Sequence, residues 1–213
     1  MKNISSNSSS IVEQVPVSYY QNGVKNNLLQ RIWHTSKVKH VLDYIPDSPK
    51  KILDVGCASG WFITQISKEF PRAKYFGVDI YEQGIIHAKK LYKKIEFKVA
   101  DAHKIPFKDM TFDLVLCTEV LEHVDNPEKV LLEIKRVLRP NGKAIIELDS
   151  GSIIFSVVWH IWGKFGGKVW TDAHIHSFSV QKLEQIILEC KFQIKKKKRF
   201  NLGMAMIFLI EKI

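Results

Sequence analysis

The chain has 213 residues, of which 46% are hydrophobic, and its 32 lysines and arginines against 22 acidic residues give a formal net charge of +10. This apolar content is too high for a disordered chain, and 11 glycines and 7 prolines are too few for a collagen-like one. The length suits one domain with a small elaboration. The most apolar windows, 153–162 and 204–210, are shorter than the ~18 residues of a bilayer-spanning helix, so no membrane span is expected.

The first residues and the cysteines bear on location. The start is polar, with one lysine in its first ten residues, which is typical of neither a secretory signal nor a transit sequence. We expect residues 1–14 to form a disordered tail. Cys57, Cys117 and Cys190 are odd in number and far apart, which favours neither a disulfide framework nor a zinc site. These features predict a cytoplasmic protein in a reducing compartment.

Positive charge is concentrated in two runs, at 89–94 and 195–199. Each run is typical of a solvated helix face or an exposed edge strand, where lysines discourage pairing between molecules. Nucleic acid is not expected as a partner, because the runs lack interleaved aromatic residues on which bases could stack. Peripheral contact with an anionic membrane stays open, because an aromatic segment and the apolar run 204–210 accompany the second basic run.

Short apolar runs alternate with amphipathic stretches along most of the chain, which is typical of parallel strands joined by crossover helices. A first helix is predicted over 26–45, and the last two strands should form an antiparallel hairpin around Asn201-Leu202-Gly203. The predicted strands are 51–55, 75–79, 95–99, 112–117, 143–148, 192–200 and 204–210, with helices at 60–70, 82–93, 127–138 and 180–190. The fold class is therefore α/β: a Rossmann-like, doubly wound, mostly parallel sheet of seven strands with a C-terminal antiparallel hairpin.

A glycine-containing turn follows the first predicted strand. Gly56 permits an unusual backbone conformation and close approach of a ligand, and Gly60 lets the next helix begin tight against the strand. Asp79 closes the second strand, where a carboxylate can accept hydrogen bonds from a ribose. Nicotinamide-binding proteins share these features, but no Gly-x-Gly-x-x-Gly is present, and Asp54 would oppose a pyrophosphate. A cationic ligand fits this turn better.

Further motifs follow the turn ILDVGCASG at 52–60 in a fixed order: GVDI at 77–80, ADAHKIPF at 100–107, FDLVLCTEVLEHV at 112–124 and LRPNGK at 138–143. Over about residues 50–150 the chain resembles the class I S-adenosylmethionine-dependent methyltransferases, of the group that contains the quinone-biosynthesis enzymes. One departure is Ala58, which stands where that family commonly has glycine. The resemblance implies S-adenosylmethionine as the cofactor, and it implies that the closing hairpin supplies the reversed strand of this fold.

The resemblance also implies which residues hold each part of the cofactor. Asp54 and the turn would hold the amino-acid end, Asp79 the ribose, and the residues near Asp101 the adenine, while the end of the fourth strand would line the methyl side. The implied cofactor-binding residues are Asp54, Gly56, Cys57, Ala58, Gly60, Asp79, Ile80, Asp101, Ala102, Thr118 and Glu119.

A methyl acceptor with a hydroxyl group or an acidic carbon would need a base, and histidine suits that role at neutral pH. His123, beside the fourth motif, and His176, after the aromatic segment, are the candidate catalytic residues, with a structural role as the alternative for each. His174 and His176 could share a strand face and bind a metal. No third ligand is spaced to join them, so no metal is predicted.

Two regions flank the sheet: an N-terminal helical cover at 15–48, and an aromatic insertion at 149–176 within the methyltransferase domain at 49–213. By resemblance these regions build the acceptor pocket, and their aromatic residues suggest a small apolar or aromatic acceptor, with core packing as the alternative. The candidate acceptor-side residues are Tyr20, Trp33, His34, Trp159, Trp162 and His174.

The sequence thus predicts a methyltransferase that moves a methyl group from S-adenosylmethionine to a small-molecule acceptor by in-line displacement. Two alternatives stay open at this point. One is a regulatory module that binds S-adenosylmethionine without transferase activity, and the other is a nicotinamide oxidoreductase.

Overall fold

A computed structural model describes residues 15–46, 48–152 and 175–213. Two helices precede the sheet, α1 (Tyr19–Asn26) and α2 (Leu28–Leu42). The sequence predicted one helix over 26–45 and did not predict α1. The helices separate at Asn27, whose backbone is extended and whose side-chain oxygen accepts hydrogen bonds from the N–H groups of Leu29 and Gln30, which caps α2.

The remaining elements alternate as the sequence predicted. In chain order they are β1 (Lys51–Val55), α3 (Trp61–Glu69), β2 (Lys74–Asp79), α4 (Glu82–Leu91), β3 (Ile95–Val99), β4 (Phe112–Thr118), α5 (Pro127–Val137), β5 (Leu138–Asp149), α6 (Val180–Glu189), β6 (Phe192–Phe200) and β7 (Ala205–Lys212). Short 3₁₀ turns lie at Leu121–His123 and Asn201–Gly203.

The strands of the described residues form one seven-stranded sheet in the order β3-β2-β1-β4-β5-β7-β6. Strands β1 to β5 run parallel to their neighbours, whereas β7 is antiparallel to both β5 and β6. The chain order reverses direction between β1 and β4, and ligands of such sheets bind at the carboxyl ends of the strands near that reversal. The predicted fold class, including the reversed last strand, is confirmed.

One local prediction differs from the structure. The sequence predicted a strand at 143–148, but β5 begins at Leu138, and residues 139–142 lie inside it as an irregularity in its pairing with β4. Phe112 pairs with Leu138 and Leu114 with Lys143, so five positions along β5 are matched by two along β4. Within this irregularity Asn141 has a φ of 61°, in the left-handed region, which lets the strand bend. Residues 139–142 are therefore accommodated as a bulge, because the strands continue to pair on both sides of it.

Polar side chains cap two of the predicted helices, α5 and α6. The Asn126 side chain accepts a hydrogen bond from the Lys129 N–H at 2.8 Å, with Pro127 in the first turn of α5. The Ser179 hydroxyl accepts one from the Lys182 N–H at 3.2 Å at the start of α6. These caps fix where each helix leaves the preceding loop.

Both faces of the sheet are covered. One face packs against the apolar stripes of α5 and α6, through residues such as Ile134 and Leu183, and the other packs against α2, α3 and α4, through residues such as Val41 and Ile63. Because the central strands are buried on both sides, polar groups on them are confined to the strand ends. In the described part of the chain, no helix is both long and apolar enough to cross a bilayer.

Candidate functional site

The turn after β1 has the geometry that its glycines predicted. Gly56 and Gly60 have φ values of 80° and 76°, in the left-handed region that favours glycine. A Cβ atom on Gly56 would overlap the Val120 side chain. The N–H groups of Gly56 and Cys57 both donate to the carbonyl of Val78, at 2.8 and 3.1 Å, which ties the turn to β2.

Ala58 lies in the same turn with a φ of 45°, although it has a side chain. An L-residue in this region costs about 1 kcal/mol or more relative to glycine, which gives a physical reason for the glycine common at this position in the family. The Cys57 thiol is buried, and burial raises its pKa well above its usual value. Cys57 thus contributes its backbone to the turn rather than a reactive thiolate.

Asp79, at the end of β2, holds the turn in place. Its Oδ2 accepts a hydrogen bond from the Ala58 N–H at 2.7 Å, and its Oδ1 accepts one from the Tyr81 N–H at 2.8 Å. Burial raises the pKa of Asp79, and these backbone donors oppose the rise. A carboxylate can accept about four hydrogen bonds, so Asp79 retains acceptor capacity for the two hydroxyls of a ribose. Ile80 follows it and is half exposed, with 50% of its surface open to solvent.

Asp54, at the end of β1, is 1% exposed, and neither of its carboxylate oxygens has a hydrogen-bond partner among the described residues. Burial, and next the charge of Asp79, raise the pKa of Asp54 well above its usual value. A buried carboxyl group without donors is costly, and a cation bound beside it would remove that cost. This observation fits the cationic cofactor that the resemblance implies.

At the end of β3, Asp101 has a partner that the sequence did not predict. The backbone N–H and the Nδ1 of His103 lie 2.8 and 2.7 Å from Asp101 Oδ1, and the His103 Nε2 accepts from the Asn126 N–H at 3.3 Å. That second bond places the ring proton on Nδ1. Partial burial tends to raise the pKa of Asp101, but the hydrogen bonds from His103 outweigh it, so the pKa is lowered. Asp101 is thus held as a carboxylate, with Ala102 half-buried beside it.

At the ends of β4 and β5 the structure shows an ion-pair cluster that the sequence did not predict. Thr118 pairs with Glu147 across the strands, and the Glu119 N–H donates to the Glu147 carbonyl at 2.8 Å. Lys37 of α2 is 4% exposed, and its ammonium group contacts Glu119 and lies 3.5 Å from Glu147 Oε2. The sequence contained one signal for this cluster: Lys37 comes three residues after His34 on the same helix, so the two side chains lie on one face.

The three charges of this cluster alter one another's pKa values. Burial raises the pKa of Glu147, which Lys37 only partly offsets. Burial also acts on Glu119, but the adjacent Lys37 outweighs it and lowers the pKa of that carboxyl group. The pKa of Lys37 is raised, because its two glutamates outweigh its burial. Lys37 and Glu119 are therefore the ionised pair of the cluster.

Two of the predicted acceptor-side residues come together beside this cluster. The His34 ring lies 5.2 Å from the Tyr20 ring and 5.9 Å from the Trp61 ring, in edge-to-face arrangements. Burial, and next the charge of Lys37, lower the pKa of His34 to about 4, so this ring is neutral at pH 7. Trp33 lies instead half-buried against the core cluster under α2. Trp159, Trp162 and His174 lie outside the described residues.

Both candidate catalytic histidines adjoin one 3₁₀ turn. His123 closes the turn Leu121–His123, and the Glu122 carbonyl in that turn accepts hydrogen bonds from the N–H groups of Ile175 and His176, at 2.8 and 3.1 Å. The Nε2 of His176 is buried without a hydrogen-bond partner among the described residues. The fold therefore brings the two segments together, and the catalytic roles of His123 and His176 stay predictions.

The order of the strands with its reversed β7, the glycine turn after β1 and the acid that ends β2 together define the class I methyltransferase architecture. Residues 53–146 match the family model described as a methyltransferase domain. This part of the chain is a class I S-adenosylmethionine-dependent methyltransferase domain, similar to the quinone-biosynthesis enzymes. The cofactor of this class is S-adenosylmethionine, as the sequence predicted.

Curated relatives support the assignment over about half of the chain. Norajmaline N-methyltransferase of Rauvolfia serpentina is 37% identical over 112 residues, which are 50% of this chain and 38% of the relative. The ubiquinone/menaquinone biosynthesis C-methyltransferase of Desulfotalea psychrophila is 34% identical over 97 residues, 45% of this chain and 39% of the relative. The chain spans half or less of the length of these relatives.

Solved structures share the fold over nearly the whole chain. A Thermotoga maritima S-adenosylmethionine-dependent methyltransferase, described as a possible histamine N-methyltransferase, superposes with a TM-score of 0.75 at 20% identity and covers 97% of this chain and 100% of its own. A Haloferax volcanii protein solved in complex with the Trm112 methyltransferase activator gives a TM-score of 0.72 at 16% identity, covering 92% and 96%.

Proposed function

We propose that this protein transfers a methyl group from S-adenosylmethionine to a small acceptor with an apolar or aromatic body. The observation that carries the proposal is a pair of carboxyl groups, the buried Asp54 and the half-buried Asp79, beside a glycine turn at the carboxyl ends of β1 and β2. Asp54 has no donor of its own among the described residues and suits a positively charged ligand. Asp79 suits a ribose.

When bound, the cofactor supplies an electrophilic methyl group on a positively charged sulfur. The chain's own contribution is mainly to bind and to orient. Asp79 and the turn backbone fix the nucleoside, Asp101 receives the adenine edge, and Thr118 and Glu119 border the reacting side. Holding two reactants in line can lower a barrier by about 7 to 11 kcal/mol, and no covalent intermediate with the protein is needed.

Exclusion of water is assigned to the N-terminal cover. The Gln21 side-chain amide donates to the Ser59 hydroxyl at 3.3 Å, so α1 reaches the glycine turn directly. The Tyr81 hydroxyl donates to the Val15 carbonyl at 2.7 Å, which holds the start of the cover against α4. With Lys37, these contacts place α1 and α2 over the carboxyl ends of the strands. Water-free surroundings strengthen every electrostatic interaction within the site.

The acceptor pocket is assigned to the cover at 15–48 and the insertion at 149–176, with His123 or His176 as the base where an acceptor hydroxyl group or acidic carbon must lose a proton. Tyr20 and His34 support an aromatic-lined pocket, since their rings adjoin Glu119 and Lys37 at the reacting side. We further propose a reducing, cytoplasmic location, which three buried free thiols suit, and no nucleic-acid partner. The relatives act on chemically different acceptors, so the acceptor is not inherited from them.

The proposal is tested by titration calorimetry with S-adenosylmethionine and by an assay for its demethylated product with a panel of acceptors. We expect binding, and we expect Asp54→Asn to weaken it by about tenfold or more, because a buried charge partner is lost. An exposed exchange, Glu69→Gln at the end of α3, is the matched control. Binding without turnover over a broad panel would favour a regulatory module, and stronger binding of NADH would favour an oxidoreductase.

A further inference from the structure

Four acidic side chains, two of them buried and two half-buried, lie on the reacting side of the proposed site. Besides the ion-paired Glu119, three carboxyl groups belong to this region: Glu122 in the 3₁₀ turn after β4, and Glu147 and Asp149 near the end of β5. Burial, and next the charges of Glu119 and Glu122, raise the pKa of Asp149, and the charge of Glu147 raises it further. The four carboxyl groups are therefore within electrostatic range of one another. Lys37 is the ammonium group that contacts two of them.

Glu122 is the member of this group whose side chain makes no hydrogen bond or ion pair with another described residue. It is 3% exposed, and neither side-chain oxygen has a hydrogen-bond partner among the described residues. Burial raises the pKa of this carboxyl group well above its usual value. Buried polar side chains are nearly always paired, because an unpaired one carries the full cost of leaving water. A Glu122 side chain that lacks a partner in the described ranges and lies near three other acids therefore favours a cationic ligand.

The surroundings favour an organic cation over a metal ion. Within the described ranges, no group of three or more histidine, cysteine, aspartate or glutamate side chains is arranged to hold a metal. The Tyr20 and neutral His34 rings lie 5.2 Å apart. Both side chains are within electrostatic range of Glu119 and Lys37. Aromatic faces together with a buried carboxylate are the groups that recognise an ammonium ion.

We propose that the methyl acceptor is an organic amine, which binds as its ammonium ion beside Glu122 and gives its proton to that carboxylate. This inference rests on the proposed function and names its substrate class. An ammonium ion has no free electron pair and cannot be methylated. In the step, the nitrogen–hydrogen bond breaks, the proton forms a bond to a Glu122 oxygen, and the electron pair stays on nitrogen as the nucleophile. Glu122 is suited to this because a buried carboxyl group holds a proton readily.

The test separates binding from turnover. Calorimetry on the full chain, loaded with S-adenosylmethionine, would compare amines with the alcohols of the same carbon skeleton, from benzylamine and benzyl alcohol to tryptamine and tryptophol. We expect at least one amine to bind about tenfold or more tightly than its alcohol, as the loss of a charge-assisted hydrogen bond implies. Equal or weaker binding of the amine in every pair would overturn the proposal.

Glu122→Gln keeps the shape of the side chain and removes its charge. We expect Glu122→Gln to abolish the preference for the amine. Its affinity for S-adenosylmethionine and its melting temperature should stay close to those of the unaltered protein. The control variant Glu69→Gln should leave the preference for the amine intact. A retained preference in Glu122→Gln would overturn the proposal. Binding of Mg²⁺ or Zn²⁺ that Glu122→Gln abolishes would assign the charge to a metal and overturn it too. Failure to bind S-adenosylmethionine at all would instead refute the proposed function.

Discussion

The ammonium group of Lys37 lies 3.5 Å from Glu147 Oε2 and also contacts the carboxylate of Glu119, with the lysine 4% exposed. Lys37 belongs to α2, whereas the two acids lie at the ends of adjacent strands of the sheet. This buried contact is thus a direct link between the N-terminal helices and the carboxyl ends of β4 and β5, the proposed reacting side of the site. Buried ion pairs add little net stability when intact, but breaking one leaves an uncompensated charge.

Removing the lysine should therefore be costly. We expect Lys37→Met to lower the free energy of unfolding by about 3 kcal/mol, because the half-buried Glu119 and the buried Glu147 are left without their cation. Chemical denaturation at neutral pH measures this. The control is Lys39→Met, an exposed exchange on the same helix, which should change stability by less than about 0.5 kcal/mol. Equal losses in the two variants would contradict a structural role of the buried pair.

The effect of Lys37→Met should depend on pH with a definite sign. Lys37 lowers the pKa of Glu119 below its usual value of 4.5 in the folded protein, so the pair contributes stability above that pH and loses it as the pH falls through the lowered pKa. In the variant Glu119 can take up a proton instead. The difference in unfolding free energy between the two proteins should thus shrink as the pH falls below 4.5. Urea titrations over an acidic series measure it, and a difference that grows on acidification would refute the assignment.

Asp79 should be required for both the ribose and the turn. We expect Asp79→Ala to weaken S-adenosylmethionine binding by about 1 to 3 kcal/mol, the usual cost of a lost charge-assisted hydrogen bond. Asp79→Asn retains one acceptor oxygen and should lose less. Calorimetry measures the affinity, and circular dichroism checks the fold, because the Ala58 and Tyr81 N–H groups lose their acceptor. Unchanged affinity in folded Asp79→Ala would mean that the ribose lies elsewhere.

Gly56 and Gly203 allow the backbone and steric costs of a side chain to be separated. Both have a φ near 80°, but a Cβ on Gly56 would overlap Val120, whereas one on Gly203 would meet nothing within 4 Å. We expect Gly203→Ala to cost about 1 kcal/mol of stability from backbone strain alone. Gly56→Ala should cost clearly more and abolish cofactor binding. Similar losses of stability in the two variants would show that the overlap is relieved.

Ala58 offers the reverse experiment. Its φ of 45° strains a residue with a side chain, and Ala58→Gly removes that strain. Glycine also makes the unfolded chain more flexible, which favours unfolding. Because the two effects oppose each other, the free energy of unfolding should stay unchanged or rise by up to about 1 kcal/mol. The affinity for S-adenosylmethionine should stay the same or improve, since the Ala58 N–H still donates to Asp79. A marked loss of stability or affinity would mean that the Ala58 methyl group makes a contact the turn needs.

The sequence by itself determined most of the helices and strands and the glycine turn that follows β1. Strand and helix periodicity, the caps at Asn126 and Ser179, and the glycine turn after β1 are local features, because each depends on residues within a few positions of one another. The ends of β1 and β2 were predictable for the same reason, since parallel neighbours end at one edge of a sheet. The spacing of the motifs alone therefore predicts that Asp54 and Asp79 lie near each other.

Only the tertiary structure decided which charges face one another on the reacting side. Lys37 lies far from Glu119 and Glu147 in the sequence, with several strands and helices between them. A lysine on a helix is ordinarily exposed, so no local pattern marks Lys37 as buried. His103 likewise gained its role from Asn126, which lies in another loop. Burial, and with it the lack of a side-chain partner for Glu122 in the part of the chain that the structure describes, depends on what the other elements cover, which is why the grouping of these acids became visible only in the folded chain.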